Sequence, residues 1–270
     1  MPRVLTAQHQ QVNRGHPLAR GLVLCTLLAR GSGWRDIIRG AYVASTAGLS
    51  TSVGPHGPSI DQVSGVTSGH TIDATGGWLP TTSATVTLLH AKTDATLRQN
   101  RSFGSFSSTL HAAAQLISVH HFWTDGNIYW DFGGNTGANR LTVAQTAIPG
   151  TMDIWSFVAG LAGMSIWRNG AKIASQSTAV SRTNTDVTHF GLGNGGSATN
   201  TWFQTDAVRQ SALIMHAREL DAEIPALHSD PFQMLETPST RRTYILSPQG
   251  AAQSQAPRSM HQYRQRSGRH

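Results

Sequence analysis

Apolar residues fall along this chain in short bursts, separated by Gly, Asn, Asp, Ser and Pro. That rhythm belongs to strands and turns rather than to long helices. The strongest signal runs from Asp153 to Ser175 and reads as a three-strand meander. Ile154, Phe157, Val158 and Leu161 begin it, with Trp155 beside them; Met164, Ile166 and Trp167 rise into Asn169-Gly170; Ala171 to Ala174 run back. Asn-Gly between two such runs marks a hairpin, because both central residues of a type I′ turn need positive φ. Further strands are expected at Leu22 to Leu28, His70 to Ala74, Thr85 to Ala91 and Gln115 to Phe122. Others follow at Asn127 to Phe132 (after an Asp125-Gly126 turn), Arg140 to Gln145, Val187 to Gly193 and Ala207 to Met215. Residues 30–69 read as loops with one or two edge strands, Trp34 and Ile37 dipping into the core, and residues 96–109 as a polar loop. One helix is expected, Arg218 to His228, with Leu220, Ile224 and Leu227 at helical spacing and Pro225 kinking or ending it.

This pattern divides the chain into an arm at 1–15, a β-sandwich at 16–236 and an extended basic tail at 237–270, in which Tyr244-Ile245-Leu246 is the one apolar cluster. With 27 glycines and only 13% charged residues in 270, the composition suits many short strands. The single cysteine, Cys25, sits in an apolar run and reads as a buried, inert thiol, so no intrachain disulfide exists. The same run is too short to span a bilayer, and Met1-Pro2-Arg3 leads into polar residues, so no membrane partner is expected and the chain reads as made in a cytosol.

The net charge of +7 is unevenly placed. No acidic residue precedes Asp36 or follows Glu236. Arg3, Arg14, Arg20, Arg30 and Arg35 lie at one end, and Arg241, Arg242, Arg258, Arg264, Arg266 and Arg269 at the other. Without these eleven, ten basic residues face fourteen acidic ones, leaving the middle at −4. Cationic ends serve phosphate or an acidic neighbouring protein equally well, and with no nucleic-acid motif the protein partner is the expectation. Arg241, Arg242, Tyr244, Arg258, Arg264, Arg266 and Arg269 are the candidate anchoring residues.

Catalytic signatures are thin. Gly191-Leu192-Gly193-Asn194-Gly195-Gly196 matches a dinucleotide fingerprint in letters, but Ser197-Ala198-Thr199-Asn200 follows where a helix should begin, so it reads as a loop between strands. Glu219, Glu223 and Glu236 all lie in or after the terminal helix, so no strand offers a Glu for glycoside hydrolysis. Asp125 and Asp131 flank one turn and its returning strand and read as a turn former and a solvent-facing strand residue. His120 and His121, beside His111, point to opposite faces of a strand and do not share a metal. No cofactor is expected, and a calcium ion has no loop motif to hold it. Of the seven tryptophans, Trp155 and Trp167 belong to the core. Trp123, Trp130 and Trp202 lie in or beside Gly-rich loops and are the better candidates for exposure, where an indole face stacks on a sugar, although core filling is the favoured role for each. With Asp125 and Asn127 they form the candidate glycan-binding set.

Three stretches together resemble the laminin-G-like, concanavalin A-like β-sandwiches encoded by tailed bacteriophages and prophages. They are the entry Asn13-Arg14-Gly15-His16-Pro17-Leu18-Ala19-Arg20-Gly21-Leu22-Val23, the hairpin Ile166 to Ile173, and the close from Ala217-Arg218-Glu219-Leu220 through Glu223-Ile224 to Asp230-Pro231-Phe232. The resemblance implies an antiparallel jelly-roll of twelve to fourteen strands, displayed on a virion as a decoration, fibre or tail-associated protein. Its partners would be other virion proteins, as a homo-oligomer or in many copies. Some relatives bind glycans, which implies a second reading as an adhesin for host surface saccharides. The paired glutamates of the hydrolytic branch are absent, so no enzyme is expected.

Overall fold

The computed structural model describes residues 10–29, 33–40, 44–45, 49–62, 69–74, 77–98, 102–107, 117–146, 148–183, 187–193 and 207–236. The fold is all-β and antiparallel, with one short helix. Strands are numbered in chain order. A nine-stranded sheet runs β15 (Ala171–Gln176), β14 (Gly163–Arg168), β13 (Asp153–Gly160), β8 (Ala84–Lys92), β17 (Val208–His216), β2 (Leu22–Ala29) and β3 (Gly33–Asp36). The hairpin β5 (Leu49–Gly54)–β6 (Gly57–Gln62) joins it through β17. A seven-stranded sheet runs β12 (Arg140–Ala144), β11 (Asn127–Phe132), β10 (Ile117–His120), β9 (Phe103–Ser107), β16 (Val187–Gly193), β7 (Gly69–Asp73) and β4 (Ala44–Ser45). A third pair, β1 (Gln11–Val12) with β18 (Leu235–Glu236), ties the described start of the chain to its described end. The described strands number eighteen, more than the expected twelve to fourteen.

The meander forms as expected. Asn169 and Gly170 both hold positive φ, 49° and 84°, the type I′ requirement. Leu161, expected in the apolar run, instead sits exposed in the β13–β14 turn. Two further expectations are corrected. Residues 103–107 form an interior strand because Phe103, Gly104 and Ser105 fit a buried position between β10 and β16, where small residues let the layers close. The helix α1 covers only Ile224–Ser229, with Pro225 in its first turn, where a missing N–H costs nothing. Leu220, Ile224 and Leu227 are nonetheless all buried. Glu219 and Glu223 therefore precede the helix, and Glu236 lies in a strand.

The sheets meet through aromatic rings. Trp130 of β11 and Phe103 of β9 meet Phe157 of β13, Trp155 of β13 meets His121 and Phe122, and the Trp130 indole N–H donates to the Val158 carbonyl at 2.8 Å. The outer face of the nine-stranded sheet is closed differently, by hydroxyls. Ser156 bonds Thr87 and His228, each at 2.7 Å, and Thr85 bonds the Arg218 carbonyl at 2.8 Å. Cys25 is fully buried, and burial pushes its thiol far up, as an inert cysteine requires.

Several histidines are locked in the neutral state by this packing. Gly170 N–H donates to His228 Nδ1 at 2.7 Å, which needs that nitrogen's lone pair. His90 and His121 meet Nδ1 to Nδ1 at 2.9 Å inside the core, an arrangement with room for one proton only. Burial lowers His90 to about 3 and His216 and His228 to about 4, and carries His121 well below its ordinary value. Unfolding raises each back toward 6.5, so the unfolded chain binds more protons at mildly acidic pH. This stability is complete above pH 6.5 and is lost as pH falls toward the folded values. Urea denaturation at pH 7.5 and pH 5 should differ, with His90 and His121 each costing about 2 kcal/mol at the lower pH and His216 and His228 adding to the loss; equal midpoints would contradict the neutral-histidine packing.

Candidate functional site

The strand β11 alternates strictly. Ile128, Trp130 and Phe132 point into the core, so Asn127, Tyr129 and Asp131 share the outer face of the seven-stranded sheet. Register then supplies their neighbours. His120 of β10 lies opposite Tyr129, and Arg140 of β12 lies opposite Asp131. The Asp125-Gly126 turn, with Gly126 at φ 81°, folds Trp123 back over this face. The Trp123 ring meets His120 edge-on at 4.9 Å and Tyr129 at 6.4 Å. The result is an aromatic ledge at the edge of the sheet, with Trp123 and Tyr129 half-buried and His120 buried beneath them, bordered by Leu97, whose side chain reaches the Gly126 turn.

Polar groups are fixed around it. The Asn127 N–H donates to Asp125 Oδ1 at 2.9 Å, and the Tyr129 hydroxyl donates to Asp125 Oδ2. Partial burial acts to raise the Asp125 carboxyl, but these hydrogen bonds outweigh it and hold the group below the ordinary aspartate range. The same bond to Asp125 raises the Tyr129 hydroxyl. Arg140 forks onto Asp131 at 2.6 and 2.7 Å and lies 4.6 Å over the Tyr129 ring. His120 Nε2 stands 3.5 Å from the same carboxylate.

Of the sequence-derived glycan candidates, Trp123, Asp125 and Asn127 come together here. Trp130 does not. It is 0% exposed, because the alternation that brings Tyr129 outward sends its neighbour between the sheets. Trp202 and the anchoring candidates Arg241, Arg242, Tyr244, Arg258, Arg264, Arg266 and Arg269 lie outside the described residues. Asp131 is corrected as well: it is 1% exposed and ion-paired rather than facing solvent. His120 and His121 do diverge, His120 to the ledge and His121 to Trp155 in the core. Tyr129 went unremarked in the sequence, although the period-two pattern of 127–132 already put it beside Asn127, and His120 and Arg140 were read there only as strand residues with no part in the site. Among the described residues no group of three metal-ligating side chains occurs.

A cleft of about 430 Å³ opens at the far end of β13, lined by Ser165, Lys172, Gln176, Glu219 and Asp221. Its polar groups are largely spent on each other. Asp221 accepts from Ser165 at 2.6 Å, from the Trp167 indole at 3.0 Å and from Lys172. No aromatic ring lines it, so it lacks the stacking face that the ledge has.

No protein-family model and no curated protein matches the chain. Solved structures with a similar fold include the Trypanosoma rangeli sialidase in complex with sialic acid, at a TM-score of 0.57 and 15% identity, covering 79% of this chain and 33% of that one. They also include the binding domain of botulinum neurotoxin serotype G, at 0.57 and 10%, covering 78% and 51%. The binding domain of Paraclostridial mosquitocidal protein 1 is similar at 0.55 and 12%, covering 79% and 53%. The likeness is one of all-β fold. The chain spans about a third of the sialidase's length and about half of each toxin domain's.

Replacing Arg140 by Ala leaves the Asp131 carboxylate buried without its fork. Because the Arg140 side chain is 28% exposed, the loss should be about 2–3 kcal/mol, short of the 3–5 for a fully buried pair. Urea denaturation of Arg140→Ala at pH 7 measures it, and an unchanged midpoint would remove the pair from the account.

Proposed function

We propose that this chain is a non-enzymatic carbohydrate-binding β-sandwich whose saccharide lies on the ledge of Trp123, Tyr129 and His120. The observation that carries the reading is the aromatic face with an exposed carboxylate and an amide fixed at its rim, the combination that stacks a pyranose and orients its hydroxyls. The carboxylates are held for binding rather than proton transfer. Asp125 is kept ionised by its donors and Asp131 is committed to Arg140, so neither is poised as an acid. That similar folds include a sialidase solved with sialic acid supports saccharide recognition without assigning a ligand, and two toxin binding domains of similar fold support a binding role. Replacing Trp123 by Ala should reduce retention on a glycan array at least about tenfold, a typical loss for one stacking ring, with the fold preserved by circular dichroism. Full retention by that variant would refute the ledge as the site.

A finer reading draws on the sequence. The concanavalin A-like, laminin-G-like resemblance and the segregation of eleven arginines to the ends favour display on a bacteriophage particle. The cationic ends would strap the sandwich to acidic neighbouring subunits, in many copies, with protein rather than nucleic acid as partner. Glycan binding by the exposed sandwich is compatible with this. Removing residues 237–270 should leave a folded sandwich that no longer joins particles; normal incorporation of the truncated chain would defeat the strap idea.

A further inference from the structure

We infer that the ledge takes uncharged saccharides and discriminates against carboxylated or sulfated ones, an inference that rests on the carbohydrate-binding reading. Two observations carry it. The first is charge. Among the described residues, the ledge holds two carboxylates, Asp125 and Asp131, against one guanidinium, Arg140. Both arms of the Arg140 fork are already on Asp131, so no bidentate cation is left for an acidic sugar. The neighbouring Arg98 likewise forks onto Asp94, at 2.9 and 2.7 Å. Among the described residues, the exposed charge at this face not held in an ion pair is the Asp125 anion.

The second is the hydrogen-bond inventory. Asp125 accepts from the Asn127 N–H, the Tyr129 hydroxyl, the Asn127 side chain and its own backbone N–H, so its exposed carboxylate presents acceptors and no donor. The Tyr129 proton is consumed by Asp125, so that oxygen acts only as an acceptor, with the Asn127 amide at 3.5 Å as one donor already. An acceptor-rich rim matches the O–H groups of a neutral sugar. A carboxylate or sulfate brings only further acceptors and a like charge.

The test uses the full chain on an array of matched oligosaccharides, each printed neutral, sialylated and sulfated, at low salt and again at about 0.5 M salt, where screening reaches only a few ångströms. Neutral members should bind at least about tenfold tighter than their acidic partners at low salt, and the gap should narrow at high salt. Asp125→Asn, which keeps the turn-forming side-chain oxygen, should narrow it at low salt also. Equal or tighter binding of the acidic members by the native chain overturns the inference while leaving the carbohydrate reading standing. A gap that Asp125→Asn leaves untouched overturns it as well. Failure to bind any member defeats both.

Discussion

The pleat of one strand holds two halves of the molecule in register. β11 sends Ile128, Trp130 and Phe132 between the sheets and Asn127, Tyr129 and Asp131 to the outside, and a slip of one residue would exchange the two sets. The inner set is tied across the layers by the Trp130 indole on the Val158 carbonyl. The outer set is tied along the sheet by the His120–Tyr129 and Asp131–Arg140 pairs. Core and ledge are consequences of a single register, which sets His120, Tyr129 and Arg140 on strands while the tight turn between β10 and β11 carries Trp123 and Asp125.

The two faces of the sandwich walls are finished by different physics. Aromatic packing seals the interior, where the His90–His121 contact adds a polar pair that tolerates one shared proton. The outer face of the nine-stranded sheet is sealed by hydroxyls of Thr85, Ser156 and Ser165, which bond the segment around α1, with Thr87 bonded to Ser156. The Asn-Gly turn is itself part of that seal, since Gly170 N–H caps His228. A local hairpin signal and a contact to residues 58 positions away thus support each other, the consistency across levels that marks a well-specified fold.

Much of the architecture was legible because strands write their period locally. The meander from Asp153, the strand at Leu22 and the Asp125-Gly126 turn could all be read from alternation and turn chemistry. The strand at Phe103–Ser107 could not, because Ser-Phe-Gly-Ser-Phe-Ser has a loop's composition and becomes a strand only between two neighbours. The helix was overextended because Leu220 has helical spacing to Ile224 yet is buried from a turn. At the candidate site, Trp123, Asp125 and Asn127 were legible as a loop cluster. Trp130, kept as a glycan candidate for its proximity to Gly133-Gly134, takes the core role that was favoured for it, as its alternation with Tyr129 already indicated. Arg140 needed the β11–β12 register, which no local pattern states.

The central claim is that saccharide docks on the outer face of β10, β11 and β12. Backbone and indole NMR shifts of the full chain, followed while a bound oligosaccharide is titrated in, test this most directly. The account predicts saturating shifts at the Trp123 indole, His120, Asn127 and Tyr129, with the buried Trp130 indole unmoved. Shifts gathered instead at Ser165, Lys172, Glu219 and Asp221 would place the ligand in the far cleft and contradict it.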